Sequence, residues 1–200
     1  MTNHKPYTIT DERPLSWSAL SSFEWSAEQW YDNYILNIKQ SSPEMTFGSM
    51  VDKKLQDDPN YLPHVPRYQH MQHKMKAVFD GIPIIGVPDG LDYDPYKLSD
   101  YKTGKNPWTQ KKADETGQLT FYALLLYLTE GLRPEVWDMA IHWLPTAYQS
   151  DFTIGFRNST DPELITFPTK RTMLDILKFG QRIKDTVSLM QRYVAQRQAQ

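Results

Sequence analysis

The chain of 200 residues is long enough to bury a full hydrophobic core, and a composition that is 40% hydrophobic and 23% charged excludes a disordered protein. It contains no cysteine, which excludes disulfides, zinc–thiolate sites and iron–sulfur clusters. Its formal net charge of −2 gives no global signature of nucleic-acid binding, so a polyanion would have to be held by a local basic patch.

The first elements in chain order are predicted helices. Ser16 or Ser18 can cap the first helix start, and apolar residues recur at helical spacing from Leu20 to Tyr34, which indicates one or two helices. After Pro43, a second helical face is formed by Phe47, Met50, Val51 and Leu55. Residues 59–72 are rich in Pro, Tyr and His, and we expect a loop or an irregular strand there.

The hydrophobic period then changes to that of β-strands. Asp80-Gly81 is a strong hairpin signal between residues 74–79 and 82–86, and Asp94-Pro95 turns the chain before a strand at 97–103. The segment from 74 to 104 therefore predicts a β-meander.

The remaining elements alternate between helix and strand. A basic connection at 105–112 precedes one helix that contains Gly117 and ends at Gly131. A strand at 136–144, a hairpin of 151–156 with 164–167, and a long amphipathic helix at 169–195 complete the chain. This order predicts an α/β (α+β) fold, with a central mixed β-sheet flanked by helices in a single domain of residues 1–200.

The stretch KLSDYKTGK places an acid and a base on one face of a predicted strand. Leu98, Asp100 and Lys102 share that face because side chains alternate along a strand. Asp89 converges with Asp100 if the two strands pair antiparallel around Asp94-Pro95. Two adjacent desolvated carboxylates repel unless a cation lies between them, and hard oxygen ligands suit Mg²⁺ or Mn²⁺. The alternative is that these are solvent-facing charges on a hairpin.

The combination of motifs resembles the PD-(D/E)XK nuclease superfamily, and most closely its RecB-type branch, which includes phage lambda exonuclease. GVPDGLD and LSDYKTG match the two catalytic strands, SWSALSSFEWSAEQWYDNYI matches the opening helix, and FGSMVDKKL matches the next helix. GQLTFYALLLY matches the helical Gln-x-x-x-Tyr motif of the branch. The resemblance implies a restriction-endonuclease-like core, and the absence of cysteine excludes the iron–sulfur cluster that some members carry.

The resemblance implies a role for each matching residue. Asp89 and Asp100 are expected to ligate the metal, with the backbone carbonyl of Tyr101 as a further ligand, and Lys102 is the expected catalytic lysine. RecB-type nucleases usually have a histidine where this chain has Asp52, and lambda-exonuclease-like members have a glutamate at a similar site. Asp52 is therefore the expected additional metal ligand. The alternative is a solvated helix residue.

Several residues around these motifs are expected to lie near DNA. Gln118 and Tyr122 are one helical turn apart and are placed beside the site or the DNA by the resemblance, although Tyr122 could equally be packed in the core. Lysines on both sides of the motif strands could form a basic rim for phosphates, and Trp108 could stack on a base or fill the core. The expected DNA contacts are Gln118, Tyr122, Lys105, Lys111, Lys112 and Trp108.

The resemblance implies a DNA nuclease dependent on Mg²⁺ or Mn²⁺, acting as an exonuclease on DNA ends in recombination, repair or phage DNA metabolism. DNA is the expected partner, and a recombinase or single-strand-binding protein and an oligomeric state are compatible with it. Two alternatives stay open, namely a nuclease-fold module that binds DNA without cutting it and a structure-specific endonuclease.

The sequence also favours a cytoplasmic location. Residues 1–15 have no apolar core of the signal-peptide kind, and no stretch approaches a membrane span. We therefore expect no membrane partner and a protein of a bacterial or phage-infected cell.

Overall fold

The computed structural model describes residues 9–38 and 41–199, so the first eight residues, for which no signal peptide is predicted, lie outside it. The N-terminal elements are β1 (Leu15–Ser16), α1 (Trp17–Trp25), α2 (Ala27–Tyr34), α3 (Pro43–Asp57), β2 (His70–Met71), β3 (Met75–Phe79), β4 (Ile82–Gly86), β5 (Gly90–Tyr93) and β6 (Tyr96–Gly104). The C-terminal elements are α4 (Gln110–Glu115), α5 (Gly117–Glu130), β7 (Asp138–Tyr148), β8 (Ile154–Phe156), β9 (Ile165–Thr169) and α6 (Met173–Gln198). A short 3₁₀ helix, Pro134–Val136, precedes β7. Within the described ranges, no helix is long and apolar enough to cross a bilayer.

The strands form one mixed sheet and one small sheet. In the larger sheet the order is β2-β5-β6-β7-β8, and β9 also pairs with β7. The central pair β6 and β7 is parallel, with Asp100 opposite Ile141, and the neighbouring pairs are antiparallel. The predicted mixed sheet flanked by helices is therefore confirmed.

The central strand β6 lies between two hydrophobic clusters. Leu98 packs into the main core with α5, in which every residue from Leu119 to Leu126 is buried because this part of the helix is apolar on nearly every side. Tyr101 packs on the other face of the sheet with Val51 and Leu55 of α3 and with Leu144. Alternation along β6 thus directs Asp100 and Lys102 towards α5 and leaves Tyr101 to the second cluster.

Three details of the predicted elements are wrong. The meander is interrupted, because β3 and β4 form the small sheet with β1, whereas β5 and β6 belong to the large sheet. The helix across Gly117 is two helices, because the Thr116 side chain caps α5 and Gly117 is its first residue. The expected hairpin of 151–156 with 164–167 does not form, because the eleven-residue β7 pairs separately with β8 and with β9.

A tight approach at Gly86 gives a stability prediction. A Cβ atom at this position would lie 2.5 Å from Leu125 Cδ1 and 2.9 Å from Tyr122 Cδ1, and both side chains are buried. We expect Gly86→Ala to lower the free energy of unfolding by about 1–3 kcal/mol, because overpacking displaces side chains that have no room to move. Urea denaturation measures this change.

The matched control is Gly104→Ala, because a Cβ at Gly104 meets no atom within 4 Å. Its free energy of unfolding should stay within about 0.5 kcal/mol of wild type. Equal stabilities for the two variants would contradict the packing at Gly86.

Candidate active site

The hairpin of β5 and β6 brings Asp89 and Asp100 together. Gly90 lies opposite Ser99, so Asp89, directly before β5, comes next to Asp100 in the same register. The Tyr101 backbone N–H donates a hydrogen bond of 2.8 Å to Asp89 Oδ2 across the pair. The antiparallel pairing that the sequence analysis required for the two carboxylates is therefore present.

Asp100, Lys102 and Gln118 form a closed triangle of polar contacts. Lys102 Nζ lies 2.5 Å from Asp100 Oδ2, and the Asp100 side chain is only 1% exposed. Gln118 Nε2 donates to Asp100 Oδ1 at 2.5 Å, and Lys102 Nζ donates to Gln118 Oε1 at 2.7 Å. Among the described residues, the buried Asp100 Oδ2 has no well-directed hydrogen bond, so the nearby ammonium is its counter-charge.

Asp89 has a partner that the sequence analysis missed. Gln72 Nε2 donates to Asp89 Oδ1 at 2.5 Å, and the Gln72 backbone N–H donates to the Asp89 carbonyl at 3.2 Å. Gln72 adopts a left-handed φ of 53°, which is uncommon for a residue other than glycine. It follows an irregular segment with no periodic signal, so no sequence pattern pointed to this contact.

The ionisable groups at this site perturb one another. Burial, followed by the charges of Asp100 and Asp52, raises the pKa of Asp89 well above its usual value. Burial and then the Asp100 charge raise the pKa of Asp52 to about 6, although Lys102 opposes the change. Burial by itself lowers the pKa of Lys102, but the carboxylates, Asp100 first, outweigh it and raise that pKa above its usual value.

The donor set fits a divalent cation in charge and in chemistry. Three carboxylates and one ammonium leave two negative charges when all four groups are ionised, and carboxylate oxygens are the ligands that Mg²⁺ and Mn²⁺ prefer. In the part of the chain that the structure describes, no three His, Asp or Glu side chains converge closely enough to hold a metal ion as they stand. The oxygens of Asp89 and Asp100 contact the donors of Gln72, Tyr101, Gln118 and Lys102 instead.

Asp52 approaches the hairpin because α3 lies close to β6. A Cβ at Gly48, one turn earlier, would lie 2.9 Å from Thr103 Oγ1, so glycine permits the short distance between helix and strand. At the start of the same helix, Glu44 forms an ion pair of 3.2 Å with Lys105 and accepts a 3.0 Å hydrogen bond from the Tyr148 hydroxyl. These contacts fix the face of α3 that carries Asp52.

The other predicted DNA contacts separate into three groups. Gln118 lies at the Asp100–Lys102 pair, and Tyr122 is only 5% exposed, with its hydroxyl accepting a 2.9 Å hydrogen bond from Gln118. Lys105 is engaged by Glu44, and its ammonium lies 3.8 Å from the centre of the Tyr148 ring. Lys111 pairs with Glu115 at 3.8 Å, while Lys112 lies 4.4 Å from the centre of the half-buried Trp108 ring.

A polar network around the buried side chains of Ser99 and His142 lies on the opposite face of the sheet, and the sequence analysis did not anticipate it. The Tyr68 hydroxyl lies 2.6 Å from Ser99 Oγ and 2.7 Å from His142 Nε2, and His142 Nδ1 lies 2.9 Å from Thr166 Oγ1. Burial lowers the pKa of His142 from 6.5 to about 4. Its four members come from distant segments, so sequence spacing gives no signal for it.

This network predicts a pH dependence of stability. Between pH 6.5 and 4 the unfolded chain binds a proton at His142 that the folded protein does not, so stability falls as the pH falls through this window. We expect His142 alone to make the protein about 2 kcal/mol less stable at pH 5 than at pH 7.5. Urea denaturation at the two pH values, on wild type and His142→Gln, isolates this contribution.

The control is His64→Gln, which changes an exposed histidine. It should keep the wild-type difference between the two pH values, whereas His142→Gln should lose about 2 kcal/mol of it. An unchanged difference in His142→Gln would show that His142 is not held neutral by burial.

Comparison with known proteins identifies the family of this chain. The family model of the PD-(D/E)XK nuclease superfamily matches residues 60–197, which include Asp89, Asp100, Lys102 and Gln118 but not α3 with Asp52. A search of curated proteins gives no match.

Among the solved structures that are similar to this chain, two cover more than nine-tenths of it. A phage-related exonuclease from Haemophilus somnus 129PT is 15% identical, with 91% of this chain and 83% of that chain covered at a TM-score of 0.49. The protein SSO0001 is 10% identical, with 94% of this chain and 79% of that chain covered, also at a TM-score of 0.49.

Proposed function

The chain belongs to the PD-(D/E)XK nuclease superfamily, and from this premise we propose that it is a Mg²⁺- or Mn²⁺-dependent deoxyribonuclease that hydrolyses phosphodiester bonds at DNA ends. The observation that carries the proposal is the convergence of Asp89, Asp100 and Lys102 on one hairpin, which leaves one negative charge in excess when all three groups are ionised. Solvent-facing charges on a hairpin would be exposed, whereas the Asp100 side chain is 1% exposed.

Asp89 and Asp100 would hold the cation, with Asp52 and the Tyr101 carbonyl as further ligands. A divalent cation at this position supplies Lewis-acid stabilisation of the charge that develops on the phosphate. Lys102 stays protonated at neutral pH because the surrounding carboxylates raise its pKa. We therefore assign Lys102 the stabilisation of negative charge in the transition state, and Gln118 the orientation of its ammonium.

The proposal extends the family resemblance to action at DNA ends, in recombination, repair or phage DNA metabolism, in the cytoplasm. A recombinase or single-strand-binding protein is the proposed partner, and an oligomer is a proposed assembly. These finer statements rest on the resemblance of the motif strands and of the Gln-x-x-x-Tyr helix to the RecB-type branch.

Linear duplex DNA labelled at its 5′ or 3′ end tests the exonuclease assignment, with covalently closed circular DNA of the same sequence as the second substrate. We expect label release from the linear duplex and an intact circle. Nicking or linearisation of the circle would identify an endonuclease. Binding to DNA with neither substrate cut would identify the non-cleaving module.

Asp52 gives a prediction about the metal requirement. Asp52→Ala should shift the Mg²⁺ requirement upward, because an anionic ligand contributes directly to a hard-cation site. Asp52→His should recover part of the activity and shift the preference towards Mn²⁺, because imidazole suits the later transition ions better than Mg²⁺. A metal titration of the cleavage rate compares the two variants with wild type.

Lys53→Ala is the control, because the neighbouring lysine is exposed and pairs with Asp57 on the same helix. Its titration curve should superimpose on that of wild type. Superimposable curves for all four proteins would remove Asp52 from the site.

A further inference from the structure

A cavity of about 330 Å³ lies beside the Asp100–Lys102–Gln118 triangle. Gln118 and Tyr122 form one side of it, and the N-terminal end of α1, with Trp17 and Ser18, forms another together with Val87, two residues before Asp89. Every described residue that lines this cavity is uncharged, and most of the lining is apolar. Its volume lies within the range of about 300–1,000 Å³ that is typical of ligand cavities.

Trp17 separates this neutral cavity from a second cavity of about 340 Å³. The second cavity is lined by Trp108, Lys111 and Lys112, together with Glu115, which pairs with Lys111. We call the two the neutral cavity and the basic cavity. The neutral cavity offers aromatic and amide groups without charge, whereas the basic cavity offers ammonium groups, so they suit different parts of one ligand.

Neighbouring residues of α5 and α6 pack against the Trp17 ring and fix its position. It packs against Phe179 with ring centroids 6.1 Å apart, and the Arg182 guanidinium lies 5.8 Å from its centre. A Cβ at Gly117 would lie 2.6 Å from the ring, so α5 approaches it closely. The ring is half-buried and borders both cavities, which makes it a rigid aromatic surface.

We propose that the neutral cavity binds one unpaired nucleobase of the cleaved strand against Trp17, and that the basic cavity binds the phosphates of adjacent nucleotides. This inference rests on the proposed function and adds the substrate class. A flat, uncharged aromatic group fits an apolar cavity bordered by a tryptophan and a glutamine, and phosphates fit ammonium groups. A base that is paired in a duplex cannot enter, so the substrate is single-stranded DNA or a duplex end with at least one base unpaired.

The test is equilibrium binding of a fluorescein-labelled thymidine 12-mer to the full chain carrying Asp89→Asn, in the presence of chelator. Trp17→Ala should weaken binding about 10-fold, as expected for the loss of one stacked base. Trp25→Ala is the matched control, because Trp25 lies on the same helix and is 85% exposed; it should bind as the parent does.

Two further measurements keep the inference testable if Trp17→Ala fails to fold. Ser18→Phe places a ring at the mouth of the neutral cavity from an exposed position, and it should also weaken binding about 10-fold. A second series uses 12-mers that carry one abasic residue at successive positions. At one position the abasic residue should lower the binding affinity of the parent about 10-fold. The same 12-mer should lower the affinity of Trp17→Ala or Ser18→Phe only slightly.

The inference is overturned if Ser18→Phe binds as the parent does, or if no abasic position matters. If the wild type still cuts DNA in that case, the proposed nuclease function is retained and only the inferred need for an unpaired base is lost. A wild type that neither binds the 12-mer nor cuts DNA with Mg²⁺ or Mn²⁺ removes both.

Discussion

Asp89→Asn and Asp100→Asn are each expected to reduce the cleavage of linear DNA to less than about one-tenth of the wild-type rate, and in effect to abolish it. Each change removes a hard anionic ligand and keeps the size of the side chain. In Asp89→Asn the amide oxygen can still accept the hydrogen bond from the Tyr101 N–H, and the Gln72 amide can turn to accept from the new amide group. The fold should therefore persist while the chemistry is lost.

In the absence of metal, Asp89→Asn is expected to be more stable than wild type. Burial and the neighbouring carboxylates raise the pKa of Asp89, so its ionised form is disfavoured in the folded protein at neutral pH. Asp89→Asn removes this repulsion, and we expect a higher melting temperature than wild type in chelator. Asp94→Asn is the control, because Asp94 is an exposed acid at the turn of the same hairpin, and it should change neither quantity. More than about one-tenth of wild-type cleavage in either active-site variant would count against the assignment.

Lys102→Ala is expected to slow cleavage by roughly two to four orders of magnitude, the usual effect of removing one electrostatic or proton-handling group. The lysine contacts Asp100 and Gln118, and its side chain is still 28% exposed, so the ammonium can reach a substrate. Metal affinity should fall little or rise, because a positive charge beside the carboxylates is lost.

Lys97→Ala is the matched control for this change, because Lys97 lies on the same strand, is exposed, and points to the opposite face. It should cut at the wild-type rate. If Lys102→Ala cuts at the normal rate, the alternating side chains of KLSDYKTGK belong to an ordinary strand and not to a nuclease site.

The central part of the site was predictable because its geometry is local. Two strands joined by a short turn have a fixed register, and side chains alternate along each strand, so Asp89, Asp100 and Lys102 could be placed on one face. Gly48 similarly indicated that α3 approaches the strands with Asp52 one turn further on.

The contacts that complete the site were not predictable, because they join segments far apart in sequence. Gln72 comes from an irregular segment, and the Tyr68–His142 pair spans 74 residues. Lys105, whose expected DNA contact stays a prediction, also contacts Glu44 and Tyr148, which lie on α3 and β7. Spacing along the chain reports the period of one element, and it contains no information about which distant element will pack against it.

Strand β7 illustrates the same limit for the fold. Its period and apolar content predicted a strand, but not that it would extend to Tyr148 and pair with β6, β8 and β9. The break at Thr116 was likewise hidden by the continuous apolar run of α5, although a threonine before a glycine is a recognisable cap in hindsight.

Cleavage of labelled linear DNA by the wild-type protein, first in excess chelator and then after Mg²⁺ or Mn²⁺ is added beyond the chelator, tests the central claim most directly. The convergence of Asp89, Asp100 and Lys102 predicts no cleavage in chelator and full cleavage once either ion is present. Cleavage that continues in chelator, or no cleavage with either ion, would contradict the assignment of Asp89, Asp100 and Lys102 as a metal-dependent nuclease site.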